Sequence, residues 1–354
     1  MAFEQPPVDY TKPLLSIVVT AYNVDGYIEE ALESVLTQPY IDALRIIVVD
    51  DGSTDSTFAA VQAIVERDGG RHVQIIRQSN QGVSAARNAG IDAVRTPYVG
   101  FLDGDDIYRE SFAREVVPLL ADARWDMVEY NVEIIDDDSR KLEEIELVSA
   151  SEGGECTLDP DAHLRFANRF HTFVWARVFR IDLFRDRQFP VGRHYEDMAI
   201  VPAIHLAAQN VYRVGKSLYG YRRRFGSITQ RSAVSDMVDL RDIGLEALAR
   251  CDGSASDKFW LTVFGKIFWR ARHVCARVDR ASFRRASDIL RAMAGDYQAA
   301  VRSLAPRSDR EVVELEAFDF AVRVDRSLHQ VKGVAKMILR RRLDHHQRER
   351  RVDH

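Results

Sequence analysis

The stretch LRIIVVDDGSTD, residues 44–55, decides the fold. Its first half, Leu44 to Val49, is a short apolar run rich in β-branched side chains. It lacks the alternation of a strand with one wet face, so it predicts a strand buried on both sides. Its second half, Asp50-Asp51-Gly52-Ser53-Thr54-Asp55, is turn chemistry, and Asp55 can cap a helix bearing Ala59, Ala60, Ala63 and Ile64. The same phrase recurs on either side. Upstream, Leu15 to Thr20 (LSIVVT) predicts a strand. Asp25 can then cap a helix reaching about Thr37, with Ile28, Ala31, Leu32 and Val35 on one face. Downstream follow a strand at residues 73–76, a helix from Gly82 to Val94 and a strand at residues 98–102 (YVGFL). Strand–helix alternation of this kind predicts an α/β fold, a mainly parallel sheet with helices on both faces. Ligands of such sheets collect beyond the carboxyl ends of the strands.

Past Phe112 the alternation loosens. Residues 125–149 predict an antiparallel hairpin around Asp136-Asp137-Asp138-Ser139. Residues 159–186 read as short helices and an apolar stretch, residues 196–209 as a helix and residues 211–224 as short strands. From about Ser235 the pattern is helical. We therefore expect one domain over residues 1–235, with halves at about 14–110 and 111–235, followed by a helical region, 236–354. The stripe Trp260, Phe264, Ile267, Phe268 has helical spacing and reads as helix core.

Composition bounds the function. Hydrophobic residues make up 46% and charged residues 29% of the 354, which suits a soluble globular protein and excludes wholesale disorder. Neither a run of about 18 apolar residues nor a basic-then-apolar leader is present, so a cytoplasmic protein is expected. Cys156, Cys251 and Cys275 are odd in number and far apart, fitting neither a disulfide framework nor a zinc pattern. The net charge of −5 hides an asymmetry: residues 331–354 carry eight Lys/Arg against three acids, which is +5 and leaves −10 on the rest. The acidic body argues against nucleic acid. The basic end has two readings, a solvated helix end or a peripheral contact with an anionic membrane.

The three strand-end loops carry Thr20-Ala21-Tyr22-Asn23, Asp50-Asp51-Gly52-Ser53-Thr54-Asp55 and Asp103-Gly104-Asp105-Asp106. Carboxylates gathered on one rim repel each other, and a hard divalent cation, Mg²⁺ or Mn²⁺, relieves that cost. Such ions bind through one or two carboxylates plus substrate phosphates, so a diphosphate-bearing substrate is expected. Asp103 and Asp105 are the expected ligands, with Gly104 allowing close ligand approach. Asp25 and Asp55 read more simply as caps, Asp50 as structural or functional, and Asp106 as a cap for the next helix.

Four ordered strings, SIVVTAYN, VVDDGSTD, QGVSAARNAGI and YVGFLDGDDIY, resemble the donor-binding half of the family 2 glycosyltransferases, which have the GT-A fold. VWARVFR, HYEDMAI and YGYRRRFGSIT resemble the acceptor half of bacterial members. The resemblance implies that Thr20 and Tyr22 line the nucleobase pocket, Asp51 accepts a hydrogen bond from uracil and Arg87 helps hold the nucleotide. It further implies a metal-binding pair in Asp103 and Asp105, with Asp105 the direct ligand, and a catalytic base in Asp197. Glu196 is the rival for that role and a candidate acceptor or pyrophosphate contact; neighbouring side chains diverge on a helix, so only one of the two is expected to face the acceptor, and the family pattern selects Asp197. Arg222, Arg224 and Ser227 resemble a segment near the donor pyrophosphate. Trp175 is either a sugar-stacking surface or core, and His171 and His194 flank the acceptor side.

The activity implied is an inverting transfer from a nucleotide-diphosphate sugar, with UDP the best guess, to a saccharide, lipid-linked or polymer hydroxyl, as in bacterial surface polysaccharide synthesis. A sugar nucleotidyltransferase would need a Gly-rich basic phosphate loop near the first strand, and residues 20–29 offer none. A dehydrogenase would need G-x-G-x-x-G there. An inactive scaffold would be expected to have lost an acidic motif, and all are present.

Overall fold

The computed structural model describes residues 10–149, 151–224 and 232–304. They fall into two compact units that separate between residues 224 and 232. Ser227 and the basic segment 331–354 lie outside the described residues.

The first half of the first unit runs β1 (Leu15–Ala21), α1 (Ile28–Leu36), β2 (Leu44–Asp50), α2 (Thr57–Asp68), β3 (Val73–Arg77), α3 (Val83–Ala93), β4 (Tyr98–Asp103) and β5 (Ile107–Tyr108). Then come α4 (Phe112–Leu120), β6 (Met127–Ile135), β7 (Lys141–Ile145), β8 (Gly154–Thr157), α5 (Pro160–Arg169), β9 (Arg177–Arg180), α6 (Glu196–Ala207) and β10 (Asn210–Arg222). The strands make one mixed sheet, ordered β3-β2-β1-β4-β9-β6-β10-β5, with β7 beside β6 and β8 beside β10. The expected parallel character holds across β3, β2, β1 and β4. Every residue of β1 and β2 except Thr20 and Arg45 is buried, as their continuous apolar runs require.

Several expectations are corrected by packing. The face of α1 is as expected, but α1 begins at Ile28, where the Val24 carbonyl accepts from both Tyr27 N and Ile28 N at 2.9 Å. Asp25 caps nothing there. Asp55 does take Thr57 N at 2.9 Å, at the start of α2. That helix buries Thr57, Val61 and Ile64, whereas Ala59 and Ala63 are exposed, because branched side chains gain more from burial than a methyl. Residues 127–145 form the expected antiparallel pair. The short strands expected after residue 210 are one strand, β10, whose register shifts between Val214 and Tyr219 broke the pattern.

Strand β9 was not expected. Its four residues carry two arginines, and it runs antiparallel to both β4 and β6, joining the two halves of the sheet. Burial of Arg177 is balanced by Glu129, whose Oε1 accepts from Nε at 2.8 Å. Burial alone would raise the Glu129 pKa, but the field of Arg177, with Arg213 also contributing, holds it at about 2.

The second unit has α7 (Val234–Leu248), α8 (Asp257–Cys275) and α9 (Phe283–Leu304). Trp260, Phe264, Ile267 and Phe268 are buried core of α8, as their spacing indicates. Among the described residues no helix is long and apolar enough to cross a membrane.

Candidate active site

Strand register assembles the site. Thr20 of β1 pairs with Asp103 at the end of β4, and Ala21 pairs with Asp50 at the end of β2. The three loops expected on one rim therefore do leave it together. Thr20 Oγ1 donates to Asp103 Oδ1 at 3.1 Å. Asn23, at φ 52°, accepts from Thr54 N at 2.9 Å and so ties the first loop to the second. Such left-handed backbone at a non-glycine residue costs about 1 kcal/mol or more and concentrates at ligand sites. Tyr22, beside it, is 47% exposed, so its ring is a free face on the rim rather than a packed loop aromatic.

The second loop works inward. Asp50 is buried and accepts from Ser53 N at 3.2 Å, with Arg77 Nε 3.0 Å from its other oxygen. Asp51 accepts from Gln78 Nε2 at 2.7 Å, Gln81 N at 2.9 Å and Gly82 N at 2.7 Å. It thereby fixes the entry to α3. A carboxylate offers about four lone-pair directions, so about one remains for a ligand. Gly90 completes the placement of α3. A Cβ there would lie 2.3 Å from Val18 Cγ1, so only glycine lets the helix lie this close to β1. Arg87, one turn earlier on the same face, is thus pressed into the site.

Arg87 is 2% exposed. Its Nη2 lies 3.0 Å from Asp103, and its Nη1 lies 2.5 Å from Glu196 and 3.3 Å from Asp197. Its terminal amino groups are committed to three carboxylates rather than to open space. Burial alone would discourage the charge, but Asp103, Asp197 and Glu196 outweigh it and keep Arg87 protonated. The two neighbouring acids do not diverge as expected. In the first turn of α6, after Tyr195 at φ 61°, both side chains reach the same guanidinium nitrogen. Asp197 Oδ2 also accepts from Val174 N at 3.2 Å. Burial, reinforced by Glu196 and opposed by Arg87, pushes the Asp197 carboxyl up to about 7.

The third loop carries the remaining acids. Gly104 is required by the protein's own packing, since a Cβ there would meet the Thr20 carbonyl at 2.8 Å. Asp105 is partly exposed and ion-paired with Arg224. Burial pushes its pKa up and Asp103 adds to the push, against the pull of Arg224. Asp106 caps no helix. It is buried, accepts Tyr219 Oη at 2.7 Å and Arg222 N at 2.7 Å, and so ties the loop to β10. Burial, then Asp105 and Asp103, push it well above the usual carboxylate range.

Arg222 is no phosphate ligand here. Its guanidinium is fully buried and donates to the carbonyls of Asp105 (2.8 Å), Asp136 (2.9 Å) and Asp137 (2.8 Å) and to Glu30 Oε2 (2.6 Å). It is a clasp on the acidic loop. Arg224 instead reaches Asp105, and both guanidinium groups lie over the Tyr27 ring, at 5.2 and 5.0 Å. Trp175 is 5% exposed and stacks on Phe173, Tyr219 and Tyr221 at 4.7, 4.8 and 5.3 Å. It is core that supports Tyr219, not an open sugar-stacking surface. His171 stacks on Phe173, and His194 is exposed two residues before Glu196. Tyr219, Tyr27 and Glu30 were not anticipated. The alternation of Tyr219 and Tyr221 just before the arginines was the available signal.

Residues 16–187 match the family model described as glycosyl transferase family 2. The chain carries a family 2 glycosyltransferase domain. Over 245 residues it is 27% identical to the glycosyltransferase GlyA of Streptococcus pneumoniae, covering 61% of this chain and 31% of that protein. Over 225 residues it is 31% identical to the uncharacterized glycosyltransferase EpsJ of Bacillus subtilis, covering 62% and 63%. The chain thus spans about a third to somewhat under two thirds of these relatives. Residues 1–349 of S. aureus TarS, solved with UDP-GlcNAc, share the fold with a TM-score of 0.68 at 19% identity, covering 90% of this chain and 92% of that one. The mannosyltransferase PcManGT from Pyrobaculum calidifontis, solved with GDP-Man and Mn²⁺, has a TM-score of 0.53 at 17% identity over 94% and 90%. The mixed sheet of this domain, with its flanking helices, is accordingly the GT-A fold.

Proposed function

We propose that this domain is an inverting, metal-assisted glycosyltransferase that moves a sugar from a nucleotide-diphosphate sugar, with UDP as the nucleotide, to an acceptor hydroxyl. One observation carries the reading: Arg87 touches Asp103 and the pair Glu196–Asp197 together. Donor-side and acceptor-side acids therefore lie within one side chain's reach, as an in-line displacement needs. Residues 14–110 supply the donor side, with Tyr22 against the base and Thr20 and Asp51 beside it. Residues 111–235 supply the acceptor side, and residues 236–354 are a helical addition. UDP is favoured by the free lone-pair direction of Asp51 and by the UDP-GlcNAc held by TarS.

The residues present fit a divalent ion. Asp103 and Asp105 are partly exposed oxygen donors, and Asp105 is pushed towards its neutral form by burial and by its neighbour. A hard cation such as Mn²⁺ or Mg²⁺ removes that penalty, and PcManGT was solved with Mn²⁺. When bound, it supplies Lewis-acid neutralisation of the leaving diphosphate. Arg224, paired with Asp105, is close enough to that loop to meet the same phosphates. Asp197 accepts the proton of the acceptor hydroxyl as its oxygen bonds to the anomeric carbon. The bond to the diphosphate breaks on the opposite face, so the configuration inverts. A carboxyl at about 7 is matched to proton transfer at neutral pH.

The acceptor class is a saccharide, lipid-linked or polymer hydroxyl of bacterial surface glycoconjugates, handled in the cytoplasm. The basic segment 331–354 would hold the enzyme at the anionic inner face of the membrane. A transfer assay over UDP-sugars with Mn²⁺ or Mg²⁺ tests the activity. Asp197→Asn should keep UDP affinity and lower turnover by about two to four orders of magnitude, the usual weight of a general base. NMR of the product should give an anomeric configuration opposite to the donor's; a retained configuration overturns the mechanism.

A further inference from the structure

Arg87 is oddly placed for a residue that grips a nucleotide. It is almost wholly buried on α3, its two terminal nitrogens are divided between opposite sides of the site, and its Nε is buried without a partner. A guanidinium is a rigid planar fork, so a pull on one prong moves the other. Asp103 pulls one prong, and Glu196 with Asp197 pull the second. Thr20 holds the same Asp103 oxygen from the other side, at 3.1 Å.

We propose that Arg87 is a positioning residue that couples donor loading to the acceptor-side base. When the cation and diphosphate engage Asp103, that carboxylate relaxes its hold on Nη2, and the guanidinium turns wholly to Glu196 and Asp197. The ionised form of Asp197 is then favoured and its free oxygen is fixed towards the acceptor. The base is thus armed only after the donor has bound. The inference rests on Asp197 being the base. The charged groups acting on Asp197 are Arg87 from α3, Glu196 beside it on α6 and Asp103 from the end of β4, with the Val174 N–H as the fixed donor.

Arg87→Lys tests it, because one ammonium keeps the charge and cannot bridge both sides. The first readout is the proton released when UDP and Mg²⁺ bind at pH 7, measured by calorimetry in two buffers of different ionisation heat. Wild type should release more proton than Arg87→Lys or Asp197→Asn, each of which should keep only the release that the cation draws from Asp105. The second readout is kinetic. Arg87→Lys should lower kcat by about ten- to a hundredfold with donor KM within about threefold, and move the acid limb of kcat/KM up by about one pH unit. Thermal unfolding checks that the variant folds; if it does not, Arg87→Gln serves instead and should show the same reduced proton release on binding. Unchanged proton release with an unmoved acid limb overturns the coupling, as does a tenfold loss of UDP affinity at unchanged kcat. Absence of transfer by the wild-type protein from every donor sinks the glycosyltransfer reading instead, and the proton-release arm still judges Arg87.

Discussion

Replacing Glu196 by Gln removes one negative charge beside Asp197 and keeps the side chain's shape. Both carboxylates touch the same Arg87 nitrogen, at 2.5 and 3.3 Å. Their contacting oxygens are therefore at most about 6 Å apart, and at that separation a unit charge at an effective dielectric near 20 acts with about 3 kcal/mol, or about two pKa units, before solvent screening. Glu196 is 15% exposed, and partial solvent screening brings the expected shift to about one unit. The sign follows from the charge. Glu196 is one of the causes raising Asp197 to about 7, so its removal lowers that pKa. It also frees Arg87 to hold Asp197 more firmly, which acts in the same direction. The base functions only when ionised, so kcat/KM should rise with pH through about 7 in the wild type and through about 6 in Glu196→Gln. At pH 6 the ionised fraction would grow from about a tenth to about a half, a gain of about fivefold relative to each protein's plateau. A kcat/KM profile from pH 5 to 9, in buffers of constant ionic strength, measures this. An acid limb that stays in place or moves upward would refute the electrostatic account of Asp197.

Asp105→Ala should abolish metal-dependent UDP binding in a protein that still unfolds cooperatively, and calorimetry giving unchanged UDP affinity with metal present would remove Asp105 as the ligand. Tyr22→Ala should weaken UDP about tenfold if the exposed ring stacks on the base, since such stacking contributes about 1–3 kcal/mol; equal affinities would return Tyr22 to an ordinary surface role. Deleting residues 331–354 should lower recovery with anionic vesicles in a flotation assay, more so at low salt, at about 1 kcal/mol for each basic residue near the surface; identical recovery of both proteins would refute docking. Asp197→Asn should raise the Tm of the ligand-free protein at pH 8 but not near pH 4. A carboxyl raised from 3.8 to about 7 by folding stabilises the fold below the lower value and loses that contribution as pH rises through the upper one, here on the order of 4 kcal/mol before solvent screening. An unchanged Tm at pH 8 would show that Asp197 carries no such strain.

What was legible follows from the range of the forces involved. β1, β2 and β4 could be read because strands buried on both faces must be apolar throughout, a local property of each run. The rim of acids followed from topology, since parallel strands end on the same side. β9 was illegible for the opposite reason. Its two arginines look like surface residues until Glu129, 48 positions away, supplies the charge that allows Arg177 to be buried. The cap assigned to Asp25 failed because Val24 turned the chain first, and no local preference of aspartate records that.

The same distinction divides the site. Thr20, Asp103 and Asp105 were legible at strand ends, but what holds them was not. Arg87 meets Asp197 across 110 positions, Asp106 meets Tyr219 across 113 and Glu30 meets Arg222 across 192. In each case a buried charged or polar group is made tolerable by a partner from the other half of the sheet, because an unpaired one would be costly. These long-range pairs also explain why the carboxylates can crowd one rim before any ligand arrives. Arg87 and Arg224 neutralise part of the charge, and burial raises the pKa of both Asp197 and Asp105, which makes their ionised forms less favoured. On the reading proposed above, a cleft prepared in this way gains by taking up positive charge beside Asp103 and Asp105, and each such gain makes an ionised Asp197 less costly to keep.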